Sequence, residues 1–444
     1  MSECSKINAK MLNYDIKCVG IIAEYNPFHN GHLYQLRLAK QLTSADYVVV
    51  VMSGSFVQRG TPAFLDKLNR TRMALENGAD LVLELPVRYA VSSAEYFSSG
   101  AVSLLNNIGI VDSLCFGSEC GNLAAMKEIA EFIQKDCDEF NKDIALYTKN
   151  GLSYPQARQR ALLSHCNSVP EEILLNIISS PNNILGIEYL KSLLRIQSTI
   201  EPITIERKQT GYHDPSLEIQ DCKETSIHSA TAIRGFLEKQ EPFHKSDIDK
   251  RKESLQGIAQ SVPDNVYKLL CSVSSYPIHA DNLSDMLYFA LSTYSLSELA
   301  SYQDMTPELA NAIKKNLIHY ESYQQFALLL KSKQYTYSRI CRCMLHILLG
   351  IKTYSLEGQT SERIAPYARI LGFRQEASTL LRQMKKTSRI PVITKMADAK
   401  HILASSAYEM LKEDIFATDL YHRLVYQSFQ EKRKNDIQTT PVII

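Results

Sequence analysis

The apolar positions follow two rhythms. In the first third, short unbroken runs at Val19 to Ala23, Tyr47 to Met52 and Leu81 to Leu85 are each followed by turn or polar residues. Runs of that length predict parallel strands buried on both faces. Between them the spacing becomes helical. Leu33, Leu36, Leu38 and Leu42 fall near one face over His32 to Leu42, and Leu68, Met73 and Leu75 do so over Asp66 to Asn77. A fourth run, Ile110 to Phe116, ends at Gly117-Ser118-Glu119, and a fifth strand is predicted over Ile200 to Arg207. Strands alternating with helices predict an α/β fold, a parallel sheet with helices on both faces.

Glu119 to Leu190 interrupts the alternation with mainly helical sequence, clearest over Leu123 to Phe140 and Pro155 to Cys166. Glu238 to Pro263 is polar and charged, and beyond it the apolar spacing is helical, as in Met286 to Leu296, Leu309 to Ile318 and Ile340 to Leu349. The expected organisation is a flexible leader over 1–18, an α/β domain over 19–240 with a helical insertion over about 119–190, and an all-helical domain over 247–444.

Composition narrows the class. The chain has 444 residues, 45% hydrophobic and 22% charged, with 49 Lys+Arg against 48 Asp+Glu. Disorder and collagen-like repeats are excluded. A net charge of +1 gives no whole-molecule basic field, so any nucleic-acid binding must come from local segregation of charge. No stretch of about 18 apolar residues exists to span a membrane, and the leader, with Lys6, Lys10, Asn13, Asp15 and Lys17, lacks the apolar run of a secretory signal. The protein is expected to be cytoplasmic, with Met11 an alternative start. The ten cysteines show no CxxC spacing for zinc, and Cys341 and Cys343 are too close for such a knuckle, so all ten read as reduced thiols.

The chemistry concentrates in Val19-Gly20-Ile21-Ile22-Ala23-Glu24-Tyr25-Asn26-Pro27-Phe28-His29-Asn30-Gly31-His32-Leu33. A strand runs into a turn set by Pro27, and a helix is predicted to start at His29 to His32. Free backbone amides at such a helix start accept phosphate, and Gly31 leaves the approach open. His29 and His32, three apart, project to the same side and can both donate to one phosphate group as charge builds during attack on its phosphorus. Farther on, Ser229-Ala230-Thr231-Ala232-Ile233-Arg234 reads as a hydroxyl-rich helix start ending in a cation, suited to β- and γ-phosphates or to simple N-capping.

These two segments together resemble the nucleotidylyltransferase superfamily with the HxGH signature. More closely, EYNPFHNGHLYQ, VVMSGSFVQRG, RTRMALENGADLVLELP, FGSE, SPNNILGIEYL, RKQTGYHD and SATAIR resemble the bacterial tRNA(Met) cytidine acetate ligase family over nearly the whole chain. The resemblance implies a HUP-type, Rossmann-like catalytic domain followed by a helical RNA-binding domain. It implies acetylation of the wobble cytidine of elongator tRNA(Met) from acetate and ATP with Mg²⁺, through acetyl-adenylate and without acetyl-CoA. His29 and His32 would be catalytic, with no protein side chain ligating a metal. The implied ATP site comprises Ile22, Ala23, Glu24, Tyr25, Asn26, Pro27, Phe28, His29, Asn30, Gly31, His32, Leu33, Tyr34 and Gln35, then Gly117, Asn182, Arg207, Ser229, Thr231 and Arg234. Asn182 reads either as an N-cap or as an amide against the nucleotide. The leader and Ala230 depart from the family pattern.

The loop Ser53 to Gly60 is expected to face the same cleft, with Ser55, Arg59 and Lys67 as a pocket in which Arg59 pairs with acetate and Lys67 approaches the triphosphate. Between Lys331 and Lys395 stand thirteen lysines and arginines against three glutamates. Arg369, Arg374, Arg382, Lys385, Lys386 and Arg389 are the candidate tRNA contacts; a helical face balanced by acidic neighbours from elsewhere in the fold accounts for the same charges. An adenylating enzyme for a small metabolite would need no RNA surface, and an RNA-binding factor with a vestigial nucleotide site would need no histidines. The residues leave open the acceptor acid, the tRNA and the oligomeric state.

Overall fold

The structure, a computed structural model, describes residues 16–135, 137–207, 229–238, 248–273 and 276–444. The first fifteen residues of the leader, the boundary near 247 and the RKQTGYHD run beyond Arg207 lie outside the described residues.

The expected strands form with small shifts of their ends: β1 (Cys18–Ala23), β2 (Tyr47–Ser53), the hairpin strands β3 (Phe56–Val57) and β4 (Thr61–Pro62), β5 (Leu81–Leu85), β6 (Ser113–Ser118) and β7 (Glu201–Glu206). Period-two alternation sorts β2 onto two cores, as its pleat requires. Val49 and Val51 pack on one face with Leu81 and Leu83. Val48, Val50 and Met52 pack on the other with Val19, Ile21 and Val82. The helices that matter for the site are α1 (Asn30–Thr43), α2 (Lys67–Glu76), α3 (Pro181–Arg195), α4 (Ala230–Leu237), α5 (Tyr337–Leu349), α6 (Ser378–Thr387) and α7 (Ser405–Phe429). Helices fill the chain between β6 and β7, the last of them α3.

The C-terminal part is helical over most of its length and also returns three short strands, β8 (Ala368–Phe373), β9 (Val392–Ile393) and β10 (Val442–Ile443), to the same sheet. The order is β10-β8-β5-β2-β1-β6-β7, with β9 paired to β8. β8 runs antiparallel to β5, with Glu84 opposite Arg369 and Leu81 opposite Phe373. The chain steps from β1 through β2 to β5, then crosses to the other side of β1 for β6. That reversal opens a crevice beyond the carboxyl ends of β1 and β6, where open α/β sheets bind ligands.

A buried ionic cluster fastens β8 to the first half. Lys67 is bonded to Glu84 at 2.8 Å and lies 3.0 Å from Asp436. Arg369 reaches Glu84 at 2.9 Å and Asp436 at 2.8 Å. Two cations and two anions compensate one another where none could be buried alone. Among the described residues, no helix is long and apolar enough to cross a membrane, and the eight described cysteines are free thiols.

Candidate active site

The segment after β1 builds its own helix start. His29 is the N-cap of α1, with φ −145° and ψ 173°. Its Nδ1 accepts from the Gly31 amide at 3.0 Å, and its own amide donates to His32 Nδ1 at 3.2 Å. This reciprocal cap stacks the two imidazoles, with centroids 3.7 Å apart and planes at 25°. Because each Nδ1 accepts, the proton of each neutral ring is assigned to Nε2. Burial, then the positive field of Arg207 and Arg234, lowers the pKa of His29 to about 3. Burial, His29 and Arg207 hold His32 well below the ordinary value. The site therefore offers two neutral Nε2–H donors at neutral pH.

This arrangement corrects one expectation. The amides at the start of α1 are already engaged: Asn30 donates to the Ser261 carbonyl at 3.0 Å, Gly31 to His29, and His32 to the His29 carbonyl at 2.9 Å. Asn30 is likewise committed, its side chain donating to the Gln260 carbonyl at 2.7 Å.

The turn between β1 and α1 is locked to the loop after β2. Tyr25 holds a left-handed φ of 47°, strained for a tyrosine, and its ring packs on Phe28 at 4.8 Å and His32 at 4.9 Å. Asn26 Oδ1 accepts from the Phe64 amide at 2.7 Å, and Glu24 accepts from the Gln58 amide at 2.8 Å. Arg70 was not legible as part of the site. Fully buried in α2, it donates to the carbonyls of Leu65, Glu24 and Ser53 at 3.0, 2.7 and 3.0 Å, and to that of Gly54. One guanidinium thus ties the ends of β1 and β2, and a helical period carrying an arginine gives no sign that it points inward.

Arg234 on α4 donates to the Asn26 carbonyl at 2.6 Å and to Thr231 Oγ1 at 3.1 Å, while Ser229 caps α4 by accepting from Ala232 at 3.2 Å. Across the crevice, Arg207 follows β7 and lies over Gly117, where a Cβ would come within 3.1 Å of its Cγ. Asn182 is inside α3, whose N-cap is Ser180. Its amide donates to Glu119 at 2.6 Å, and its oxygen faces Arg207 at 3.5 Å. Glu119 also accepts from the Asn183 amide at 2.9 Å, and Asn183 Oδ1 takes the Glu119 amide at 2.8 Å. Glu119 and Asn183 form a second pair with no local signal of it in the sequence, although they stand in the FGSE and SPNNILGIEYL runs. Ile22 and Ala23 end β1, Pro27 and Phe28 are buried beneath the turn, and Leu33, Tyr34 and Gln35 line the half-buried flank of α1.

The expected acetate pocket does not assemble. Lys67 is 2% exposed and saturated by Glu84, Asp436 and Thr418, the last at 2.9 Å. Ser55 is buried against Thr418 Oγ1 at 3.3 Å. Arg59 alone is exposed, close enough to Arg234 to depress the latter's pKa after burial itself. The candidate tRNA contacts divide too. Arg369, 3% exposed, belongs to the ionic cluster and cannot meet RNA. The amide of Arg374 donates to the Asp80 carbonyl at 3.0 Å, at the amino end of β5 and the edge opposite the histidines. Arg382, Lys385 and Lys386 are exposed on α6, and Arg389, also exposed, faces Glu362 at 3.6 Å.

Comparison with known proteins places this geometry. A family model described as HIGH Nucleotidyl Transferase matches residues 16–436. A protein of Clostridium novyi named tRNA(Met) cytidine acetate ligase is 36% identical over 427 residues, covering 96% of this chain and 99% of that protein. One of the same name from Thermoanaerobacter sp. is 40% identical over 406 residues, covering 91% and 94%. The crystal structure of Thermotoga maritima TmcAL bound with alpha-thio ATP superposes with a TM-score of 0.83 at 30% identity, covering 96% of this chain and 99% of that one. With its HNGH turn at the reversal point of the sheet, the chain belongs to the HIGH nucleotidyl transferase family, in the group whose members are named tRNA(Met) cytidine acetate ligase.

Proposed function

We propose that the protein activates acetate with ATP and transfers the acetyl group to the wobble cytidine of elongator tRNA(Met). In the first step an acetate oxygen attacks the α-phosphorus of ATP in line, forming acetyl-adenylate and releasing pyrophosphate. The Nε2–H groups of His29 and His32 donate to phosphate oxygens as charge builds on them, and Arg207 and Arg234 offset the charge of the triphosphate. Donors of this kind stabilise the developing charge by hydrogen bonding, without a proton transfer. Magnesium enters with the nucleotide as part of the substrate. In the second step the exocyclic amine of cytidine attacks the acetyl carbonyl, AMP departs with the bonding pair, and the amine loses a proton. The base must first be splayed from the anticodon loop.

The observation that carries the reading is the stacked histidine pair at the crevice, each Nδ1 accepting from a backbone amide, in the positive field of two arginines from separate elements. Arg59 is the remaining candidate for the acetate carboxylate. The test is incubation with ATP, labelled acetate and total tRNA, followed by nucleoside analysis. Label in N4-acetylcytidine, dependent on each component, is expected; label only in a small metabolite would assign the adenylating activity elsewhere.

A further inference from the structure

Away from the histidines, a cleft of about 1540 Å³ opens between the helical insertion and the C-terminal helices. Small-molecule pockets run to about 300–1,000 Å³, so this volume suits a segment of a polymer. One wall comes from the helices Asp138–Lys149 and Tyr154–His165 with α3, the other from the start of α5 and residues 356–362. The lining is rich in glutamine, threonine and serine, and Tyr154 is 54% exposed.

The cations in the cleft are unequal. Arg158 and Lys191 share Glu188 at 2.8 and 2.9 Å, and Arg342 faces Asp304 at 3.6 Å. The Nε and Nη2 of Arg195 are shut from solvent with no hydrogen-bond partner among the described residues, as is the Nε of Arg342, but Arg342 has Asp304 beside it whereas Arg195 has only the longer-range charges of Glu95 and Glu188. Buried donors are seldom left unmet, and a guanidinium fork matches two oxygens of one phosphate. Arg195 is also at the far end of α3 from Asn182. Thirteen residues of helix put it about 20 Å along the axis from the nucleotide end, a span an RNA stem can bridge while its loop enters the crevice.

We propose that this cleft holds the phosphodiester backbone of the RNA substrate, with the Arg195 guanidinium turning outward from its buried position to grip one phosphate and Arg339, which in the free chain donates to the Asp304 carbonyl at 3.2 Å, assisting from the opposite wall. The inference rests on the RNA-acetylating reading above. It extends the RNA contact from the start of the basic stretch, through Arg339 and Arg342, to a surface made by both halves of the chain; of the six candidate residues, only Arg389 lines it.

The test measures the affinity of an unmodified elongator tRNA(Met) transcript for the full chain across a potassium chloride series. Arg195→Ala and Arg339→Ala are each expected to weaken binding about 10-fold and to lower the slope of log K against log salt by about one. Acetate-dependent ATP–pyrophosphate exchange is expected to stay within about twofold of wild type, because neither residue touches the nucleotide site. Arg195→Lys, which keeps the charge and loses the fork, should restore the slope better than the affinity. Wild-type affinity and slope in both alanine variants overturns the cleft assignment and leaves the acetylation reading standing. If the wild-type chain binds no transcript while exchanging normally, both fall. Should Arg195→Ala lose exchange through misfolding, Arg339→Ala and Arg195→Lys decide the matter.

Discussion

His29 has two roles that substitution can separate. Its Nδ1 caps α1 and its Nε2–H faces the crevice. In His29→Asn the amide oxygen can take over the cap, so the melting temperature should hold within a few degrees. Exchange should fall about 100- to 1,000-fold, the usual loss for one preorganised donor. Full exchange in that variant would remove His29 from the chemistry. The histidine pKa shifts have a definite sign. Below about pH 6.5 the unfolded chain protonates its imidazoles, while folded His29, held near a pKa of about 3, stays neutral. The stability present at neutral pH is therefore lost as pH falls from about 6.5 toward 3, by about 1.4 kcal/mol at pH 5.5 for His29 alone. Urea unfolding at pH 7.5 and 5.5 should show His29→Asn losing less than wild type by that amount. The presence of the histidine pair was legible because a short motif carries it. Arg70, Glu119 and Asn183 were not, because their roles depend on facing carbonyls and amides far away in the chain.

At the scale of elements, the ionic cluster joining α2, β5, β8 and Asp436 makes the strands of the C-terminal part integral to the sheet. Asp436→Asn would leave Lys67 and Arg369 sharing Glu84 alone. Breaking a buried pair on one side costs about 3–5 kcal/mol, which should appear as a lower urea midpoint. Exchange per folded molecule should stay close to wild type, because the cluster contains neither histidine nor either crevice arginine; a selective loss of exchange would show that the cluster tunes the site. β8 escaped detection because Ala368 to Phe373 is short and contains Gly372, and its partner β5 is nearly three hundred residues earlier. Its arginine looked like surface charge for the same reason: the counterions, Glu84 and Asp436, are remote in sequence.

At the scale of the whole molecule, the ATP half does not close on itself. Without β8 to β10, the wholly buried strand β5 would present an open edge, and Lys67 and Glu84 would lose Arg369 and Asp436. A fragment ending at Leu237 is therefore expected to be insoluble or molten, and the full chain to unfold in one cooperative transition that circular dichroism can follow. A soluble fragment with a sharp transition would restore two independent domains. The sequence alone determined the parallel strands and their helices, because apolar period and turn chemistry are local properties. It also determined the helix-start histidines, whose spacing places them on one side of a turn. Tertiary structure alone decided which polar groups remained available to a ligand. It occupied the α1 amides, withdrew Lys67, Ser55 and Arg369 into buried contacts, and left two nitrogens of Arg195 without a hydrogen bond among the described residues. Burial and pairing depend on which distant segments meet, and no local pattern encodes that meeting.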